Sequence, residues 1–508
     1  MGFVLLILLT SGCSFGTSHA ATARSARRPN IVFLLTDDLD AHEVVYMPNL
    51  RRLIADEGVT FSRFYVSVSL CCPSRSSILR GQYSHNTGVL TNGSGNGGFE
   101  TAYRLGLEHS TVGTWMQSAG YKTAYIGKYL NAYPDTAAHN YEPPGWNEFD
   151  SAVGGDPYSE YHYELNENGH IVPYGGAPDD YGTDVYVGMA EKFIRREQHK
   201  PFFIYLNTYA PHGPATPAPQ DVNLFPGARA PRTPAFNDTH EAGKPSWLRR
   251  LRPLRAPGIA TVDALFRLRI QSLQAVDRGI ANLITTLRDT HQLANTYFVF
   301  TSDNGFHLGQ FRLPAGKETA YDTDIQVPLM VRGPGVPAHR TCPFIFGNID
   351  LAPTFARLAG ANVPTWVDGR SFAPQLHDPS VDAYPRQAYL VEHWKESRTE
   401  HVGNGPTEPP DLDSHRSSLV VAAAGVAPPR PDLIPPFHGV RTTRYLYVEY
   451  STGERELYDT HKDPYELLNI VNDPAEARLV AHLHRLVARL EVCSATECRR
   501  LEDAPVRA

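Results

Sequence analysis

Short apolar runs recur along the chain, each closed by polar or small residues. IVFLL at 31–35 leads into Thr36, Asp37 and Asp38, and TYFVFTSDNG at 296–305 ends in Asp303, Asn304 and Gly305. KTAYIG at 122–127, FFIYLN at 202–207 and VPLMVRG at 327–333 have the same character. Unbroken apolarity, without alternation, predicts strands covered on both faces. Between these runs the spacing changes to three and four residues. Leu273, Val276, Ile280, Leu283 and Leu287 predict a helix over 264–287, with shorter helices at 47–58 and around 111–118. Strands alternating with helices predict an α/β fold with a large, mostly parallel sheet flanked by helices.

Two stretches interrupt this alternation. Residues 211–257 are rich in Pro, Ala and Arg, and 396–436 contain TEPPD and APPRPDLIPP. Both read as long excursions over the surface. Beyond them, HGVRTTRYLYVEY and ERELYDTHKDPYELLNI predict strands with a turn at Asp463-Pro464, then a closing helix over 476–490. This is the pattern of a smaller C-terminal subdomain with an antiparallel sheet. At the other end, the apolar run 3–9 is too short to span a bilayer and is followed by small residues. A signal peptide over 1–23 and an exported protein are expected, with lipoprotein attachment at Cys13 as the alternative. The expected organisation is then 1–23, a catalytic α/β domain over 28–378, and a C-terminal subdomain over 379–508. No later segment is apolar enough to cross a membrane.

The 508 residues carry a formal charge of -7, which leaves no basic footprint for nucleic acid. Six cysteines are too few for a disulfide scaffold. Cys493 and Cys498 are close enough for a local bridge in an exported protein, which leaves Cys71, Cys72 and Cys342 without obvious mates.

Ligands in open α/β sheets gather beyond the carboxyl ends of strands. Asp37, Asp38, Asp303 and Asn304 all sit at such ends. Each pair could simply begin a turn. Together they form a hard oxygen set suited to Ca²⁺ or Mg²⁺, because converging carboxylates repel one another unless a cation intervenes. In CCPSRSSILRG (71–81), Pro73 suits the first turn of a helix and Gly81 its end. Cys71 would stand in front of the helix N-terminus with Arg75 one turn on, a setting that lowers a thiol pKa. The plain alternative is a buried pair of small apolar residues.

The run C-x-P-S-R-x-x-x-L-x-G from Cys71 to Gly81 resembles the signature of type I sulfatases of the alkaline phosphatase superfamily. PNIVFLLTDD, GKYLN, APHGP, SDNGFHLGQ, GKETAYDTDIQVPLMVRGPG, DGRSFAPQL and ELYDTHKDPYELLN resemble further blocks of that family. The variants are most similar to the branch of N-acetylglucosamine-6-sulfatases and extracellular endosulfatases. The resemblance implies an alkaline phosphatase-like fold and hydrolysis of an organic sulfate ester, either an aryl or a sugar O-sulfate. It implies that a maturation enzyme converts Cys71 to Cα-formylglycine, whose hydrate offers one hydroxyl to attack sulfur and a second to expel sulfate. It also implies one divalent cation, Ca²⁺ or Mg²⁺, on Asp37, Asp38, Asp303 and Asn304, with residue 71 sharing the site.

By the same resemblance Arg75 holds the nucleophile, Lys128 and Lys317 clamp sulfate oxygens, and His212 protonates the leaving alcohol. His307 is a further candidate for substrate contact or proton transfer. Many family members carry a histidine two residues after the GK lysine, where this chain has Leu130. His307 is expected to compensate. Arg80 replaces the usual threonine, a change expected to alter packing more than chemistry. The alternatives are a phosphonate or phosphate ester hydrolase on the same scaffold, or a carbohydrate-binding protein in which Cys71 stays a thiol. Sulfated small molecules or glycans are the expected substrates, selected by the two long excursions.

Overall fold

The computed structural model describes residues 1–2, 28–240, 243–381, 386–396, 406, 408 and 433–506. Residues 3–27, which hold most of the expected signal peptide and Cys13, lie outside the described residues, as does most of 396–436.

The predicted apolar runs form the middle of a ten-stranded sheet. Thr296–Ser302, Asn30–Thr36, Phe202–Asn207 and Lys122–Gly127 lie side by side in that order, all parallel. Successive side chains of a strand point to opposite faces, so a strand apolar throughout must be covered twice. Ile31, Phe33 and Leu35 pack into one core with Ile78, Tyr205 and Phe355. Val32 and Leu34 pack into another with Leu273, Val276, Ile280 and Leu283. The sheet is a largely parallel layer between helices, as the alternation predicts.

Several boundaries differ from the sequence reading. The long helix is Ala256–Asp289 and starts eight residues before the predicted 264, because Pro257 sits comfortably in a first turn. The 47–58 segment is only Pro48–Leu50 followed by a wider π-helical turn, Arg51–Ala55. VPLMVRG contributes Leu329–Arg332, which runs antiparallel to its neighbours. Glu148–Gly155, Tyr163–Glu167 and His170–Tyr174 extend the other edge as a meander that no long apolar run announces. The 211–257 excursion is not purely superficial. Trp247 and Leu248 are buried, and the Lys244 ammonium lies over the rings of Phe311, Tyr321 and Tyr458.

A separate four-stranded antiparallel sheet follows, in the order Ala388–His393, Phe437–Thr442, Tyr445–Tyr450, Arg455–Asp459. The segment after Asp459 makes turns instead of the expected strand. Helix Ala477–Leu490 covers this sheet with Leu479, Leu483, Leu486, Val487 and Leu490. Cys493 and Cys498 form the anticipated bridge, while Cys71, Cys72 and Cys342 are free and buried.

Buried charges fasten the C-terminal part to the main sheet. Glu502 accepts from Arg370 and Arg386, each at 2.9 Å, and from the Tyr83 hydroxyl. His85 lies 2.7 Å from Glu392 and 2.9 Å from the Cys493 carbonyl oxygen. Burial alone would lower the His85 pKa, but the Glu392 carboxylate prevails and raises it from 6.5 to about 9. A raised folded-state pKa contributes stability that is complete below the unfolded value and lost as pH rises through the folded one. The difference in melting temperature between wild type and His85→Ala should therefore be largest near pH 6 and vanish by about pH 10. A difference independent of pH would refute the charged pair.

Candidate active site

Parallel register determines which strand ends meet. Thr36 pairs with Ser302, Leu35 with Asn207, and Gly127 with Asn207. Asp37, Asp303, the loop to His212 and Lys128 therefore emerge from one edge of the sheet. The helix Cys71–Arg80 points its N-terminus at that edge and ends at Gly81, whose φ of 67° is the left-handed cap that favours glycine. Cys71 is the first helical residue, not the one in front of it.

The Cys71 thiol donates to Asp37 Oδ1 at 3.3 Å and lies 3.7 Å from Asp38 Oδ1. Lys317 Nζ is 3.1 Å from the sulfur and 2.9 Å from both Asp38 oxygens. Lys128 Nζ donates to Asp37 Oδ2 at 2.5 Å. His212 Nε2 is 3.3 Å from Asp38 Oδ2, its Nδ1 being committed to the Gly213 carbonyl oxygen at 2.8 Å. Arg75 is wholly buried. Its Nε donates to Asp303 Oδ2 at 2.8 Å, and its Nη1 donates to the Lys128 carbonyl oxygen and to Asn207 Oδ1. The structure thus brings together Asp37, Asp38, Cys71, Arg75, Lys128, His212, Asp303, Asn304 and Lys317. His307 is buried nearby in sequence to Asp303, with Nδ1 3.0 Å from Asp324. Asn207 was not anticipated, although it terminates one of the predicted strands.

These charges set one another's protonation. Burial would raise Asp37, but Lys128, His212 and Arg75 hold its carboxyl below the ordinary range. Burial and the neighbouring Asp37 push Asp303 up to about 7 against the pull of Arg75. His212 is opposed by burial yet raised to about 9 by Asp38 and Asp37, so it carries a proton through neutral pH. The expected low-pKa thiol is contradicted. Burial and the carboxylates of Asp37 and Glu408 push Cys71 well above its usual value, and the lysines do not compensate. An unmodified Cys71 is a poor thiolate nucleophile.

The donor set fits a divalent cation. Asp37, Asp38, Cys71 and His212 present ligand atoms within 4.8 Å of one another. Asp303 is hydrogen-bonded to the Asp38 and Asn304 N–H groups at 3.0 and 2.8 Å. Asn304 Nδ2 donates to Asp38 Oδ1 at 2.7 Å, while its Oδ1 is buried without a hydrogen-bond partner. A buried amide oxygen beside three buried carboxylates is a hard oxygen donor set that suits Ca²⁺ or Mg²⁺.

The family model described as sulfatase matches residues 29–361. The chain belongs to the sulfatase family. A second model, the C-terminal part of N-sulphoglucosamine sulphohydrolase, matches residues 428–492 of this sulfatase. The sulfatase is 35% identical to the N-acetylglucosamine-6-sulfatase of Homo sapiens over 97% of this chain and 90% of that protein. It is 40% identical to the extracellular sulfatase Sulf-1 homolog of Caenorhabditis elegans over 67% of this chain, but spans only 48% of that relative. A solved structure in complex with its substrate D-glucosamine-2-N,6-O-disulfate has a TM-score of 0.73 at 24% identity, covering 93% of this sulfatase and 99% of that chain. That likeness shows the fold.

Arg80, the departure inside the signature, lies 4.2 Å over the Trp366 ring and donates to the Leu107 and Ser110 carbonyl oxygens. It is a packing residue, as expected. If a cation resides on the acidic cluster, a chelator should lower the melting temperature and added Ca²⁺ should restore it. Occupancy at a hundred times the dissociation constant is worth about 2.7 kcal/mol. Asp303→Ala should abolish the chelator effect, and an equal shift in that variant would rule out the site.

Proposed function

We propose that this sulfatase releases inorganic sulfate from a sugar O-sulfate, N-acetylglucosamine-6-sulfate being the favoured class, at residue 71 after conversion of Cys71 to formylglycine. The supporting observation is the Cys71 side chain, at a helix N-terminus and between two carboxylates and the Lys317 ammonium. Its raised thiol pKa argues that it acts only once its sulfur has been replaced. The hydrated aldehyde supplies two oxygens, one to take the sulfuryl group and one to expel it. Asp37, Asp38, Asp303 and Asn304 would hold Ca²⁺, which lowers the pKa of a nearby hydroxyl and polarises a sulfate oxygen.

The chain's own side chains do the rest. Arg75 anchors the nucleophile-bearing helix through Asp303. Lys128 and Lys317 balance the charge of the sulfate oxygens and of the departing oxygen. His212, protonated at neutral pH, donates its Nε2 proton to the leaving alcohol. His307, oriented by Asp324, serves as a second proton carrier where Leu130 replaces the common histidine. We also propose a signal peptide over 1–23, a catalytic domain over 28–378 and a C-terminal subdomain over 379–508, and hence export. The names of extracellular relatives support this reading. Among the described residues no helix is long and apolar enough to cross a membrane.

Protein co-expressed with a maturation enzyme should show a loss of about 18 Da in the peptide containing residue 71, as oxygen replaces sulfur and two hydrogens leave. The same preparation should hydrolyse 4-nitrophenyl sulfate faster than the phosphate or phosphonate esters, and Cys71→Ala should lose at least about a thousandfold in kcat. An intact thiol in active protein, or preference for the phosphonate ester, would overturn the assignment. His307→Ala should slow sulfate release, and unchanged turnover would remove it from the reaction.

A further inference from the structure

Glu408 belongs to none of the roles above, yet it meets the nucleophile position. It comes from the connection between Ala388–His393 and Phe437–Thr442. Its Oε1 accepts from Lys317 Nζ at 2.8 Å, lies 2.9 Å from His212 Nε2, and is 3.5 Å from Cys71 Sγ. Its Oε2 accepts from Asn131 Nδ2 at 2.6 Å and from Asn92 Nδ2. Two charged donors and two amides therefore converge on one anion. The amides are pre-set for it. Cys72 N–H donates to Asn92 Oδ1 at 2.8 Å, which turns the Asn92 NH₂ group toward the anion. The Asn131 carbonyl oxygen accepts from Phe99 N–H at 2.8 Å, and the residue is only 6% exposed.

The Glu408 carboxylate stands where an ester sulfur must come to be attacked from residue 71. A carboxylate and a sulfate monoester are both anions that want several donors, and two such charges do not share one cradle. We propose that Glu408 is an internal competitor of the ester sulfate, and that Asn92 and Asn131 are the amide donors which both anions use. This rests on the reading of residue 71 as the reacting centre. The ester sulfate and the Glu408 carboxylate exclude one another from these donors. With the ester bound, the two amides hold one peripheral sulfate oxygen, and Lys317 holds another. Neither asparagine needs a charge for this, so both discriminate by geometry between a tetrahedral group and other anions. Asn131 follows the GK lysine by three residues, so the segment that lacks the common histidine supplies an amide instead.

Binding of inorganic sulfate to the Ca²⁺-loaded full chain, measured by calorimetry on a Cys71→Ala background, tests this without maturation or turnover. Glu408→Ala should tighten sulfate about tenfold or more, with Glu408→Gln in between because it keeps the shape but loses the charge. Asn92→Ala and Asn131→Ala, each made in the Glu408→Ala chain, should weaken sulfate about tenfold. These opposite directions exclude a general loss of structure, which would weaken binding in all four. Unchanged affinity on removing Glu408 overturns the competitor, and unchanged affinity in both asparagine variants overturns the shared donors. In matured protein Glu408→Ala should lower KM for 4-nitrophenyl sulfate several-fold. Sulfate competition without ester turnover would retain this inference and lose the proposed reaction. Turnover without competition would do the reverse.

Discussion

The ion pair between Arg75 and Asp303 joins the two parts on which the site depends. It ties the helix that presents Cys71 to the end of the strand that presents Asp303 and Asn304, at 2.8 Å and with both side chains buried. Removing two charges from water is costly, and such a pair adds little net stability over an apolar contact. Its value is positional. Because Arg75 also donates to the Lys128 carbonyl oxygen and Asn207, a single guanidinium sets the relative placement of three strand ends and one helix. A mobile cation could not do this, since a planar fork has only one orientation that satisfies all its acceptors.

Around that pair the site is built from nearly balanced opposites. Asp37, Asp38 and Asp303 face Arg75, Lys128 and Lys317 within a few ångströms, all buried. The consequence is a divergence of neighbouring pKa values. Asp37 is held down by its cations, Asp303 is pushed to about 7, and His212 is lifted to about 9. A centre of this kind presents fixed charges of both signs to whatever binds there. Preorganisation of this sort is the main electrostatic resource of an enzyme.

The C-terminal sheet is more than an appendage. Glu408, which lies in sequence between its strands Ala388–His393 and Phe437–Thr442, stands 3.5 Å from Cys71 Sγ. The same subdomain is clamped to the main sheet through Glu502, Arg370 and Arg386.

Much of the centre was legible in the sequence. Asp37, Asp38, Asp303 and Asn304 follow unbroken apolar runs, which mark strands covered on both faces. Cys71 to Gly81 announces its helix by Pro73, Gly81 and its resemblance to a family signature. Local rules sufficed because each of these residues takes its place from its own segment. Tertiary structure alone decided the remainder. The Cys71 thiol is raised, not lowered, because burial and two carboxylates from distant parts of the chain outweigh the lysines beside it. The meander over 148–174 carries only ordinary polarity, and the edge strand Ala388–His393 pairs with a strand that begins more than forty residues later. Glu408 and Asn92 have no local signal at all, for their chemistry arises from which donors fold around them. Long-range contact determines burial and neighbouring charge, and those two quantities decide what an ionisable side chain does.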